Sequence, residues 1–141
     1  MATFNKFQPF VEHLAEKVHN LGSDTLKVML TNSAPTASNG VKADLTEISA
    51  GNGYSAGGTQ ATISSSAQSS GTYKLTLADV VFTASGGSIG PFRYAVLYND
   101  TPTSPADPLI GYWDYGSSIT LANGETFTVD FDGTNGVLTL A

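Results

Sequence analysis

The chain has 141 residues, the size of one ordinary domain and long enough to bury a substantial core. Twelve acidic against six basic side chains, with Arg93 the only arginine, leave a net charge of −6. Such a balance repels a phosphate backbone and disfavours direct nucleic-acid binding. There is no cysteine, which excludes a disulfide framework and a thiolate zinc site.

Ser, Thr and Gly (15, 17 and 15) make up a third of the chain and 13% of it is charged, a composition of strands and turns rather than helices. The start, MATFNKFQPF, lacks the apolar run of a secretion signal, and no stretch approaches the roughly 20 apolar residues that a membrane helix needs. The expectation is a protein made in the cytoplasm, with no membrane partner.

Apolar residues at Phe7, Phe10, Val11, Leu14, Val18 and Leu21 fall at steps of three and four, which predicts an amphipathic helix over 8–21. Pro9 suits its first turn and Gly22 its left-handed end. Its polar face, with Glu12, His13, Glu16 and Lys17, offers little stabilisation, so the helix needs a surface to lie against. That surface is either its own domain or a partner. Residues 1–22 are thus a helical segment and 23–141 a β-domain.

From Leu26 the period changes to two. Leu26, Val28 and Leu30 mark a first strand, ended by the turn-rich stretch 32–40. Two short β-capable pieces follow, 44–48 and 59–64, separated by a Gly-rich turn around Tyr54. The Thr/Ser-rich composition there suits an exposed sheet edge. Tyr73, Leu75 and Leu77 alternate next, but keeping that phase would place Asp79 inside and Val80 and Phe82 outside. A phase shift near Ala78 and Asp79 therefore predicts a bulge or a corner between two sheets.

The segment FRYAVLYN, 92–99, is apolar on both faces, so it is either a central strand covered twice or one whose second face meets another chain. After a Pro-rich loop comes LIGYWDYG, in which Gly111 allows close backbone approach. Phe127, Val129 and Phe131 alternate with polar residues, DGTNG turns, and 137–140 returns as a hairpin. About eight strands favour a mainly-β fold, an antiparallel, jelly-roll-like β-sandwich with one N-terminal helix.

Sites of chemistry are not apparent. On one continuous helix His13 and His19 would stand some 120° apart, which reads as solvated side chains rather than a metal pair. Asp130, Asp132 and Asn135 resemble a calcium loop, but their spacing fits a plain turn better. No nucleophile elbow or Cys/His pair is present, so no catalytic residue, cofactor or metal ligand is assigned and an enzyme is not expected. Phe92, Tyr94, Tyr98, Tyr112, Trp113 and Tyr115 concentrate aromatic area in one region. They are divided among core, protein interface and a sugar-stacking platform.

The segments LKVMLTNSAP, ISAGNGYSAGG, VVFTASGGSIGPFRYAVLYND and PLIGYWDYGSSITLANGETFTVDF, taken in this order, resemble the head cement (decoration) proteins of tailed bacteriophages. The similarity runs from about Phe7 to the C-terminus and rests on turn-and-strand patterns. It implies a jelly-roll-like fold, self-association as a homo-oligomer, and binding to the major capsid protein across neighbouring subunits; a dimer is slightly favoured over a trimer, though the sequence does not fix the order. The implied location is the outer head surface of a virion, the protein being synthesised in the host bacterial cytoplasm. It transfers no catalytic residues. Phe10 and Leu14 on the helix, together with Phe92, Tyr94, Tyr98, Tyr112, Trp113 and Tyr115, are the candidate interface. The alternative is a receptor- or glycan-binding module of a tail fibre or spike, motivated by the Tyr/Trp cluster and the acidic surface.

Overall fold

The computed structural model describes residues 2–141. In chain order its elements are β1 (Asn5–Lys6), α1 (Pro9–Ala15), β2 (Leu26–Thr31), a 3-10 turn (Lys42–Asp44), β3 (Thr59–Gln60), β4 (Ile63–Ser69), β5 (Thr72–Leu77), β6 (Val80–Thr83), β7 (Ile89–Asn99), β8 (Leu109–Leu121), β9 (Thr126–Val129) and β10 (Leu138–Leu140). They form a five-stranded sheet, β1-β8-β7-β2-β3, a three-stranded sheet, β10-β5-β4, and a two-stranded sheet, β6-β9, all antiparallel. The fold is mainly β and sandwich-like, as expected. Among the described residues no helix is long and apolar enough to cross a membrane.

The main core lies between the five-stranded sheet and the other two. Leu26, Val28, Leu30, Ala95, Leu97 and Ile110 meet Leu75, Leu77, Val80 and Phe82, all buried. The opposite face of the five-stranded sheet carries a second apolar cluster of Phe7, Met29, Val96, Tyr98 and Leu109, with Leu45 and Tyr112 packed against it. Residues 92–99 are thus covered twice, and both covers belong to the chain itself. This resolves the two-sided strand as a central one.

The long connection between β2 and β3 helps supply that second cover. Its clasp is built on Tyr54, whose hydroxyl donates to Glu47 Oε2 at 2.5 Å and accepts the Leu30 N–H at 3.1 Å. Glu47 Oε2 also takes the Gly57 N–H at 2.7 Å, and Glu47 Oε1 pairs with Lys42 Nζ at 3.2 Å. Tyr98 closes the clasp by donating to the Gly57 carbonyl at 2.5 Å. Burial and the Glu47 carboxylate push the Tyr54 hydroxyl far above the ordinary tyrosine range, and burial does the same at Tyr98. Gly58, at φ +82°, passes so close to the Val28 carbonyl that any Cβ would overlap it. Residues 44–48, expected as a strand, make only a single bridge, Thr31 to Glu47, because Asp44 still belongs to the 3-10 turn and the pairing is confined to the neighbourhood of Glu47 and Ile48.

The corner near Asp79 is present. β5 ends at Leu77 in one sheet and β6 begins at Val80 in another, with Asp79 exposed between them. Asp79 Oδ1 accepts the Phe131 N–H at 2.9 Å, so the side chain stands in for a ladder bond where the two sheets part.

Two expectations need correction. The helix does not span 8–21: it starts at Pro9 but stops at Ala15, with Lys17 at φ +69° and Val18 N–H returning to the His13 carbonyl. This is a Schellman closure, well before Gly22. A continuous helix could not aim both His19 and Leu21 into the core, and both are buried. The C-terminal hairpin is also absent as a ladder. β9 pairs with β6 and β10 with β5, so the two segments run along either side of the corner. DGTNG is an excursion between them, shaped by Asp132, whose carboxylate accepts the Thr134 and Asn135 N–H groups and the Asn135 side-chain amide. With those bonds holding its pKa low, Asp132 serves its own turn.

Candidate interaction surface

β1 lies antiparallel on β8, with Asn5 opposite Tyr112 and Lys6 opposite Gly111. That pairing seats the Phe4 ring on Gly111, where a Cβ would collide with it, and brings it 5.3 Å from Trp113. The nearest group at Gly111 is thus a side-chain ring, with the Asn5 carbonyl behind it, rather than the backbone expected from the sequence. Phe10 follows on α1 and is buried against His19 at 5.1 Å. The N-terminal segment is built into the sandwich by the sheet pairing and by these two rings.

Alternation along β8 sends Tyr112 and Trp113 to opposite faces. Tyr112 packs on Phe7 at 5.2 Å in the outer cluster, whereas Trp113 meets Phe131 edge-on at 5.5 Å on the inner side. Tyr115, beyond them, is 55% exposed and touches Phe127 at 5.7 Å. Phe4, Trp113, Tyr115, Phe127 and Phe131 thereby line an open groove of about 500 Å³. Its rim carries Asp130, Asp132 and Arg93, and Arg93 is held by a bidentate pair with Asp114 at N···O distances of 2.8 and 3.0 Å. The guanidinium lowers the Asp114 pKa, and Arg93 also stacks over Tyr94 at 5.5 Å. A second apolar groove of about 560 Å³ shares Phe4 and runs between α1 and β10, past Val11, Leu14 and Leu140. Val11 and Leu140 are each nearly half exposed.

The eight candidate interface residues therefore divide. Phe10, Phe92, Tyr94 and Tyr98 are buried within the chain and present almost no area to a partner. Leu14, Tyr112 and Trp113 are half-buried, and Tyr115 is exposed. Leu14, Trp113 and Tyr115 line the two grooves, while Tyr112 belongs to the other face. Phe4, Val11, Phe127 and Leu140 complete the surface, over the buried ring of Phe131, and none of them is among the interface residues expected from the sequence. Their signal was weak because they come from four separate segments that only the sheet pairing unites.

The histidines also differ from expectation. Their rings lie 6.2 Å apart, and His19 is 6% exposed, because the early helix end folds the chain back on itself. The Asn99 side-chain amide donates to His19 Nδ1 at 3.0 Å and to Asp24 Oδ2 at 2.7 Å, leaving His19 neutral with its proton on Nε2. Burial, reinforced by His13 and opposed by Asp24, lowers its pKa to about 4. Among the described residues no group of three or more His, Asp or Glu side chains is placed to hold a metal ion.

No family model, curated protein or solved structure matches this chain. Its own geometry therefore carries the functional reading.

Proposed function

We propose that this chain is a structural virion protein that binds the outer surface of a tailed-bacteriophage head and stabilises it by bridging neighbouring capsid subunits. The observation that carries this reading is the pair of open apolar grooves meeting at Phe4, the first of them lined by five aromatic rings. Tyr and Trp at a groove combine large apolar area with a polar tip, the composition of an interface centre. The resemblance of the strand-and-turn segments to cement proteins points the same way. A cement protein works by avidity: once one contact to the shell is made, each further contact is nearly intramolecular.

Residue-resolution imaging of virions containing the chain tests the reading. Density on the head, at junctions between capsid subunits, is expected; density confined to the tail tip refutes it. Tyr115→Ala is expected to weaken binding of the purified protein to bare heads by about tenfold, while the lost contact with Phe127 lowers the melting temperature by only about 3 °C. A second reading, a glycan-binding module of a tail fibre or spike, draws on the Asp130 and Asp132 carboxylates beside Trp113. Phe4 and Phe131 already pack on the Trp113 ring, which leaves less of it free for stacking a sugar. Glycan-array binding that is lost in Trp113→Ala would favour this second reading.

A further inference from the structure

From Ile48 to Tyr73 the chain carries no charged side chain, although its net charge is −6. This stretch contains β4, the terminal strand of the three-stranded sheet. β4 is seven residues long, whereas the other terminal strands of the two larger sheets, β1, β3 and β10, have two, two and three. Natural sheets guard a long edge with charges, proline or a covering segment. β4 has no charge and no proline, and its one bulge, between Ile63 and Ser65, leaves Ser65–Ser69 in regular register with β5.

The direction of its backbone groups follows from the hairpin. Ser70 at φ +52° and Gly71 at φ +84° make a two-residue turn with both centres left-handed, so the closing pair Ser69–Thr72 exchanges hydrogen bonds. Alternation along the ladder then aims the N–H and C=O groups of Ser66 and Gln68 outward, away from β5.

We propose that this edge pairs with the same edge of a second copy, antiparallel about a two-fold axis at Ala67. Ser66 of each copy then faces Gln68 of the other, giving about four main-chain hydrogen bonds. Ala67 meets its own copy as the close, non-hydrogen-bonded pair, and there its small, exposed side chain fits. The lack of charge selects a second copy as the occupant: two chains of like net charge approach best where neither bears a carboxylate. Because each chain has one such edge, the pairing closes as a dimer and joins the two three-stranded sheets into one of six strands. The pairing goes beyond the head-binding reading and does not depend on it.

Sedimentation equilibrium of the purified full chain at about 100 µM tests the pairing, alongside Ala67→Glu, Ala67→Lys and their equimolar mixture. The expected result is a dimer for the wild type, at twice 14.6 kDa. Each variant alone should associate at least about fivefold more weakly, because like charges then face each other across the axis, and the mixture should recover the dimer. A monomeric wild type overturns the proposal, and if it still decorates heads the head-binding reading stands without it. A dimer unaffected by either variant also overturns it, since the copies then meet elsewhere. Amide hydrogen exchange on the wild type gives a measurement that needs no variant. Ser66 and Gln68 should become protected as concentration rises, and fast exchange of both in a dimeric sample overturns the pairing.

Discussion

His19 gives this protein a built-in acid sensitivity whose size follows from its surroundings. Its pKa is about 4 in the folded chain against 6.5 when unfolded, so the unfolded state binds the proton more readily. The stabilisation from keeping His19 neutral is therefore complete above pH 6.5 and is lost as the pH falls toward 4. At 1.36 kcal/mol per pH unit over that window, the loss is about 3 kcal/mol. His19→Phe retains the ring packing on Phe10 and removes the titration, while leaving one Asn99 N–H without its acceptor. That orphaned donor is partly offset by loss of the buried His19 Nε2–H, which has no partner of its own, so the net change is a roughly constant 0–2 kcal/mol at every pH.

Urea unfolding followed by the fluorescence of Trp113, the only tryptophan, reads both terms at fixed protein concentration. Between pH 7 and pH 4 the wild type should lose about 3 kcal/mol more than His19→Phe, which is about 1.5 M in urea midpoint for an m-value near 2 kcal/mol/M. Carboxylates such as Asp44 and Asp114, whose pKa values are lowered, act at more acid pH and equally in both proteins. Parallel stability curves for the two proteins would refute the assignment of a buried, neutral His19.

Substitutions at four further positions probe the framework. Gly58→Ala combines a left-handed backbone with overlap on the Val28 carbonyl, so it should lower the melting temperature by far more than Gly71→Ala. Gly71, at φ +84° with open space around it, should show only the conformational penalty of about 1–2 kcal/mol, roughly 3–6 °C; equal losses would contradict the close-packed clasp. Tyr54→Phe leaves the buried Leu30 N–H without its acceptor and should cost about 1–3 kcal/mol, measured by urea unfolding. In an alkaline titration of the wild type at 295 nm, two of the six tyrosines should ionise only on unfolding, matching the raised pKa values of Tyr54 and Tyr98. Asp79→Ala removes the acceptor for Phe131 N–H at the corner and should cost about 1–2 kcal/mol, whereas Asp79→Asn should restore most of it.

Local pattern made several features legible in the sequence. The period-two alternation of 26–30 and 73–77, the phase break at Asp79 and the proline-initiated helix all reflect constraints within a few residues. Each depends on steric preference or on which side of a strand an apolar group faces, and both are written locally. Tertiary structure decided where the helix ends, which partners β9 and β10 take, and which aromatics are spent on the core. The helical stripe of 7–21 is genuine in spacing, but burying His19 and Leu21 on the sandwich outweighs the few tenths of a kcal/mol that each extra helical residue offers. The DGTNG turn does close locally, with the Gly136 N–H on the Asp132 carbonyl, yet the flanking strands pair with β6 and β5 across the corner instead of with each other. The same limit applies to the site. The sequence located the aromatic region 92–115, but burial is a property of what lies opposite. Only the folded chain separates Tyr98, capped by its own clasp, from Tyr115, left open beside the Phe4 groove.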